Sequence, residues 1–112
     1  MDRRFFATAL GLVLAGAVLS PALARTDERL SEAVRHTEMA ISRGKAGDAM
    51  GVVNHAEAAL AQAQASEKTM DNEHTKQGIS HLNMAIDEGK KDHADAAAKH
   101  AEEALMHLKQ AE

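Results

Sequence analysis

From Leu30 onward, apolar residues recur at spacings of three and four. Leu30, Val34, Thr37 and Ile41 share one face of an amphipathic helix. Thr26 is expected to cap it, with Asp27 and Glu28 in the first turn and Gly44 as the stop. A second helix is expected from near Asp48 to about Ser66, with Ala49, Val53, Ala56, Leu60 and Ala63 inward. Residues 66–72 read as a polar connector. A third helix follows from about Glu73 to Glu88, with Ile79, Leu82 and Ile86 inward and Gly89 ending it. The fourth starts near Asp92, its expected cap, and buries Ala94, Ala98, Ala101, Leu105 and Leu108. Short turns make sequential helices antiparallel, so the pattern predicts an all-α, up-down-up-down four-helix bundle. Its many core alanines imply close helix approach and a thin core.

The two halves repeat at an offset of 45. Residues 32–67 align without a gap on 77–112, with 13 of 36 identical. His36 matches His81, Gly44 matches Gly89, and His55 matches His100. Shared Ala could follow from composition, but paired His and Gly at one offset point to a duplicated helical hairpin. Hairpin one spans about 26–66 and hairpin two about 73–112.

The first 24 residues have a different pattern. Asp2-Arg3-Arg4 precedes an apolar run, Phe5–Leu19, and Ala22-Leu23-Ala24 closes it as a small-x-small cleavage site. About 15 apolar residues are fewer than the roughly 20 of a membrane span. Residues 1–24 therefore read as a cleavable signal peptide rather than an uncleaved anchor. The mature chain is expected to begin at Arg25, in the periplasm or outside the cell, with no membrane attachment.

Composition narrows the function. Residues 25–112 contain no Cys, Pro, Phe, Tyr or Trp, and hold all seven His. Disulfides, thiolate zinc sites and Cys nucleophiles are excluded. Eleven basic residues against sixteen acidic ones give the mature chain a net charge of −5, and no aromatic platform is present. Nucleic-acid binding is not expected. Neither a Ser/His/Asp constellation, nor a phosphate loop, nor an H-E-x-x-H motif appears, so an enzyme is not expected.

The remaining chemistry is histidine, and its spacing is informative. His74 and His81 are seven apart, as are His93, His100 and His107, so each set shares one helix side. Residues equidistant from a turn lie level in a hairpin. His74/His107, His81/His100 and Glu88/His93 are all centred on position 90.5, and His36/His55 on position 45.5. These pairs predict rungs across each hairpin. Successive rungs should be about 10.5 Å apart, too far for one ion to touch two. Within a rung, axes about 8–10 Å apart let two imidazoles converge on one ion. Imidazole suits Cu(II), Ni(II) and Zn(II), and Glu32 or Glu103 could complete a sphere, with Met39 and Met84 close by in sequence. The expected metal residues are His36, His55, His74, His81, His93, His100, His107, Glu88 and Glu103. Such partly open sites describe a buffer better than a catalyst. The competing reading is a structural or protein-interaction bundle with residual His and no metal role. A solvated flank is the ordinary state of a lone His, and only the recurrence of level pairs argues otherwise.

EAVRH (Glu32–His36), NHAEAAL (Asn54–Leu60), GISHL (Gly78–Leu82) and KHAEEALMHL (Lys99–Leu108) resemble the small metal-binding protein family, SmbP. The resemblance covers essentially all of residues 25–112. It implies a His-rich periplasmic four-helix bundle that binds copper and, less selectively, other divalent metals. All seven His stand where the family pattern has His. The chain departs from that pattern at Arg43, Asp48, Gln62, Gln77 and Glu88. Arg43 faces Asp48 and Gln62 faces Arg29, so two expected rungs of hairpin one lack His. Metal binding is expected to concentrate in hairpin two, with Cu(II) preferred, Ni(II) or Zn(II) possible, and a monomer as the assembly. Acid near the ordinary imidazole pKa of about 6.5 should release metal.

Overall fold

The computed structural model describes residues 27–112. They form four α-helices, α1 (Glu28–Lys45), α2 (Ala49–Thr69), α3 (Glu73–Lys90) and α4 (Ala94–Ala111). Residues 1–26, which include the expected signal peptide and the expected cap Thr26, lie outside the described residues. Each helix packs on its two neighbours around an antiparallel bundle, and α2 also touches α4 across the diagonal. Among the described residues, no helix is long and apolar enough to cross a membrane.

The caps explain where the helices begin. The Asp27 carboxylate accepts the Arg29 N–H at 3.0 Å, and the Asp48 carboxylate accepts that of Gly51 at 2.8 Å. Asn72 Oδ1 accepts from His74 and Thr75, at 2.8 and 3.3 Å. Asp92 does not cap α4. Its φ is 65°, and His93 occupies the cap position without a side-chain cap bond.

The same turn corrects the helix ends. Gly44 and Gly89 are inside α1 and α3, not at their stops. The left-handed residue comes three positions later, at Gly47 (φ 80°) and at Asp92. Gly47 N–H donates to Gly44 O at 3.0 Å and Asp48 N–H to Arg43 O at 2.9 Å. Asp92 N–H donates to Gly89 O at 3.0 Å and His93 N–H to Glu88 O at 2.9 Å. Both turns are thus Schellman closures, which satisfy helix-end carbonyls. What needs glycine at 44 and 89 is close approach. A Cβ on Gly44 would lie 2.6 Å from Ala98 Cβ, and one on Gly89 2.6 Å from Val53 Cγ2.

The polar connector is shorter than expected. α2 continues through Ser66 to Thr69, because Ser66 is buried and its hydroxyl donates to Asp27. The core combines Leu30, Val34, Val52, Val53, Leu82, Ile86 and Leu108 with alanines from all four helices. Ile41, Leu60, Ile79, Leu105 and Ala94, expected inside, are only partly buried. A core lined with alanine is narrow, so side chains at the stripe's edge stay partly open to solvent. Buried Thr37 is satisfied within α1, donating to Ala33 O at 2.7 Å.

Candidate metal centre

The bundle has two kinds of seam. Between hairpins, ion pairs dominate: Lys45–Glu102 at 3.3 Å and Lys109–Glu38 at 3.7 Å join α1 to α4, and Lys76–Glu67 at 3.7 Å joins α3 to α2. Within hairpins, imidazoles face one another. His36 and His55 rings lie 5.9 Å apart across α1 and α2. His74/His107 and His81/His100 rings each lie 6.1 Å apart across α3 and α4.

At the α3–α4 turn, His93 Nδ1 meets Glu88 Oε1 at 3.1 Å. That contact, the Lys91 ammonium and the neighbouring His93 and His100 rings hold the Glu88 carboxyl below the usual range. Arg43 and Asp48 occupy the corresponding positions of the first turn and pair at 3.3 Å, as expected. Arg29 does not meet Gln62. Its guanidinium reaches further along α2, to Ala65 O at 3.1 Å and Thr69 Oγ1 at 3.4 Å.

Arg29 misses its level partner for the reason that the histidine rungs are not independent. Helix side chains tilt towards the N-terminus of their own helix. In an antiparallel pair, opposing side chains therefore lean in opposite directions along the seam. His81 leans towards the 74/107 level, and His107 towards the 81/100 level. Their rings lie 5.5 Å apart with planes 7° from parallel, closer than either rung. The expected isolation of rungs about 10.5 Å apart is corrected accordingly.

Glu103 is the carboxylate of this seam. Its Oε1 is 3.4 Å from His100 Nδ1 and 3.7 Å from His81 Nδ1. One ligand atom from each of His81, His100 and Glu103 lies within 4.8 Å of the others. Two nitrogens bound to one ion at about 2.0–2.1 Å sit at most about 4.2 Å apart, so slight ring rotation would close the set. Within the protein, the Nδ1 atoms of His36, His81, His100 and His107 are buried and lack hydrogen-bond partners. Buried polar nitrogens are ordinarily satisfied, so these four fit a ligand supplied from outside the chain. Two imidazoles and a carboxylate with open positions suit a divalent transition metal.

Hairpin one is built differently. Glu32 lies 3.9 Å from His36, but Arg35 binds both its oxygens, at 2.7 and 3.3 Å. The Arg35 hydrogen bond is also the main reason the Glu32 carboxyl titrates low. Ala58 stands where the repeat places Glu103. His74 and His93 are exposed, the other five His are half-buried, and Met84 is exposed. The diagonal His81–His107 contact and the seating of Glu103 on His81 and His100 escape level counting. The tilt of helix side chains is the signal that would have found them.

No curated protein is a significant match to the chain. A family model described as small metal-binding protein matches residues 3–111, nearly the full length, and the chain belongs to that family.

Proposed function

We propose that this protein captures and buffers divalent transition-metal ions outside the cytoplasm, chiefly on the α3–α4 seam, with Cu(II) favoured. The observation that carries the reading is the His81/His100/Glu103 cluster, whose buried imidazole nitrogens make no hydrogen bond within the protein. Family membership supports metal as the cargo. His74, His107, His93 and Glu88 would add further ligands along the seam, and His36/His55 a weaker position in hairpin one. Preference for Cu(II) rests on the Irving–Williams order, with Ni(II) and Zn(II) as lesser cargo. Export rests on the leader-like residues 1–24. Repeated, partly open sites favour buffering by a monomer over catalysis.

The test is calorimetric and spectroscopic titration of the chain starting at Arg25 with Cu(II), near pH 7.5. Saturable uptake with a visible absorption band is expected, abolished when all seven His are replaced by Ala. Because metal binds the folded state, the melting temperature should rise, corresponding to about 2.7 kcal/mol at a free ion concentration of 100 Kd. Uptake no greater than that of the His-free variant would leave a structural or protein-interaction bundle as the reading.

A further inference from the structure

Methionine is sorted to the outside of this bundle. Among the described residues, the exposed large apolar side chains are Met50, Met70, Met84 and Met106, at 58, 50, 41 and 54% of full exposure. Every Leu, Ile and Val there is buried or half-buried, Met39 is half-buried, and the buried core holds no Met. Hydrophobicity and helix propensity barely distinguish Met from Leu, so neither accounts for the sorting. Reactivity does distinguish them. A thioether is oxidised to the sulfoxide, a polar group that disrupts a core but is readily solvated at a surface. Residues 25–112 contain no Cys, Trp or Tyr, so no thiol or electron-rich ring stands between an oxidant and the seven imidazoles. Five of those imidazoles are half-buried, whereas the four thioethers are open to solvent. Met84 lies one helical turn beyond His81, and Met106 adjoins His107 in the chain.

We propose that Met50, Met70, Met84 and Met106 are oxidation sites that consume hypohalous acid before it reaches the imidazoles, at no cost to the fold. The thioether sulfur attacks the chlorine of hypochlorous acid, so an S–Cl bond forms as the O–Cl bond breaks and hydroxide leaves. Water then displaces chloride from sulfur. The net products are sulfoxide, a proton and chloride, with sulfur oxidised by two electrons and chlorine reduced by two. No metal takes part, so exposure of each sulfur sets the order of reaction. The benefit rests on the metal-binding reading, because a chlorinated imidazole is a poorer ligand, but the chemistry does not. Sulfoxide at these four positions replaces no packed side chain, so the helices keep their core contacts.

The probe is hypochlorous acid, added to the metal-free chain from Arg25 at one equivalent per exposed Met and read by peptide mass spectrometry. One oxygen should appear on each of Met50, Met70, Met84 and Met106, ahead of Met39 and of any chlorinated His. The oxidised chain should keep its helical circular dichroism and a cooperative melt. A chain carrying Met50→Leu, Met70→Leu, Met84→Leu and Met106→Leu conserves volume and helix propensity. At the same dose its chlorinated His should rise several-fold. Equal His modification in the two proteins would overturn the protection. Oxidation of Met39 as fast as the other four, or loss of helix once the four are oxidised, would overturn it as well. Cu(II) titration of the oxidised, unsubstituted chain should match that of the untreated chain. Failure of the untreated chain to bind Cu(II) would overturn the metal-binding reading alone and leave the oxidation chemistry to the mass spectra.

Discussion

Asp27 does two jobs at the open end of the bundle. Its carboxylate caps α1 and accepts the hydroxyl of Ser66 from α2. The Ser66 hydrogen bond is the main reason its carboxyl titrates below the usual range, against a smaller opposing effect of burial. A lowered folded-state pKa gives stability that is present above the unfolded pKa, near 3.9, and is lost as pH falls through the folded value. Urea denaturation from about pH 6 to pH 2.5 should therefore show bundle stability falling below about pH 4. Ser66→Ala should cost about 1 kcal/mol at neutral pH and flatten that acid limb. Parallel profiles for the two proteins would contradict the linkage. At this scale the sequence was ambiguous by one register. Thr26, Asp27 and Glu28 all suit a helix start, and the partner that selects Asp27 comes from residue 66, which only tertiary structure supplies.

At the scale of the element, glycine had two meanings that periodicity alone did not separate. Gly44 and Gly89 follow the last inward residues of their stripes, which suits a helix stop. In the bundle they instead face a neighbouring backbone, with Ala94 O at 3.1 Å and Ala49 O at 3.0 Å from the respective Cβ positions. Alanine is the better helix former by about 1 kcal/mol, so Gly→Ala inside an unconstrained helix would stabilise. Gly44→Ala and Gly89→Ala should instead each destabilise by about 1–3 kcal/mol in chemical denaturation, because overpacking outweighs propensity. A gain in stability for either would mean the helices can separate there at little cost. Helix existence, order and inward faces were legible, since the stripes run uninterrupted by proline. The ends were not, because closure depends on the backbone three residues beyond each glycine.

For the whole molecule, chemistry is divided by seam. Hairpins are joined to each other by apolar packing and ion pairs, while imidazoles lie inside each hairpin. Level counting about each turn places His36/His55, His74/His107 and His81/His100 side by side, because a hairpin's geometry follows from its own turn. It missed the His81–His107 contact because counting places Cα atoms, whereas ring positions follow from the tilt of side chains. Glu103, counted among the expected ligands, and Glu32, which was not, differ in surroundings that spacing alone does not show. Both sit one turn from a histidine, yet Arg35 occupies Glu32, and Glu103 lies between two imidazoles of different helices. The proposed function requires His81 and His100 to act together, across α3 and α4, on one ion. Replacing each with Ala, singly and together, and measuring Cu(II) affinity by calorimetry tests it most directly. With a shared ion, either single replacement should lose most of what the double replacement loses, a strongly non-additive cycle. Small, independent losses that sum to the double-mutant value would contradict it.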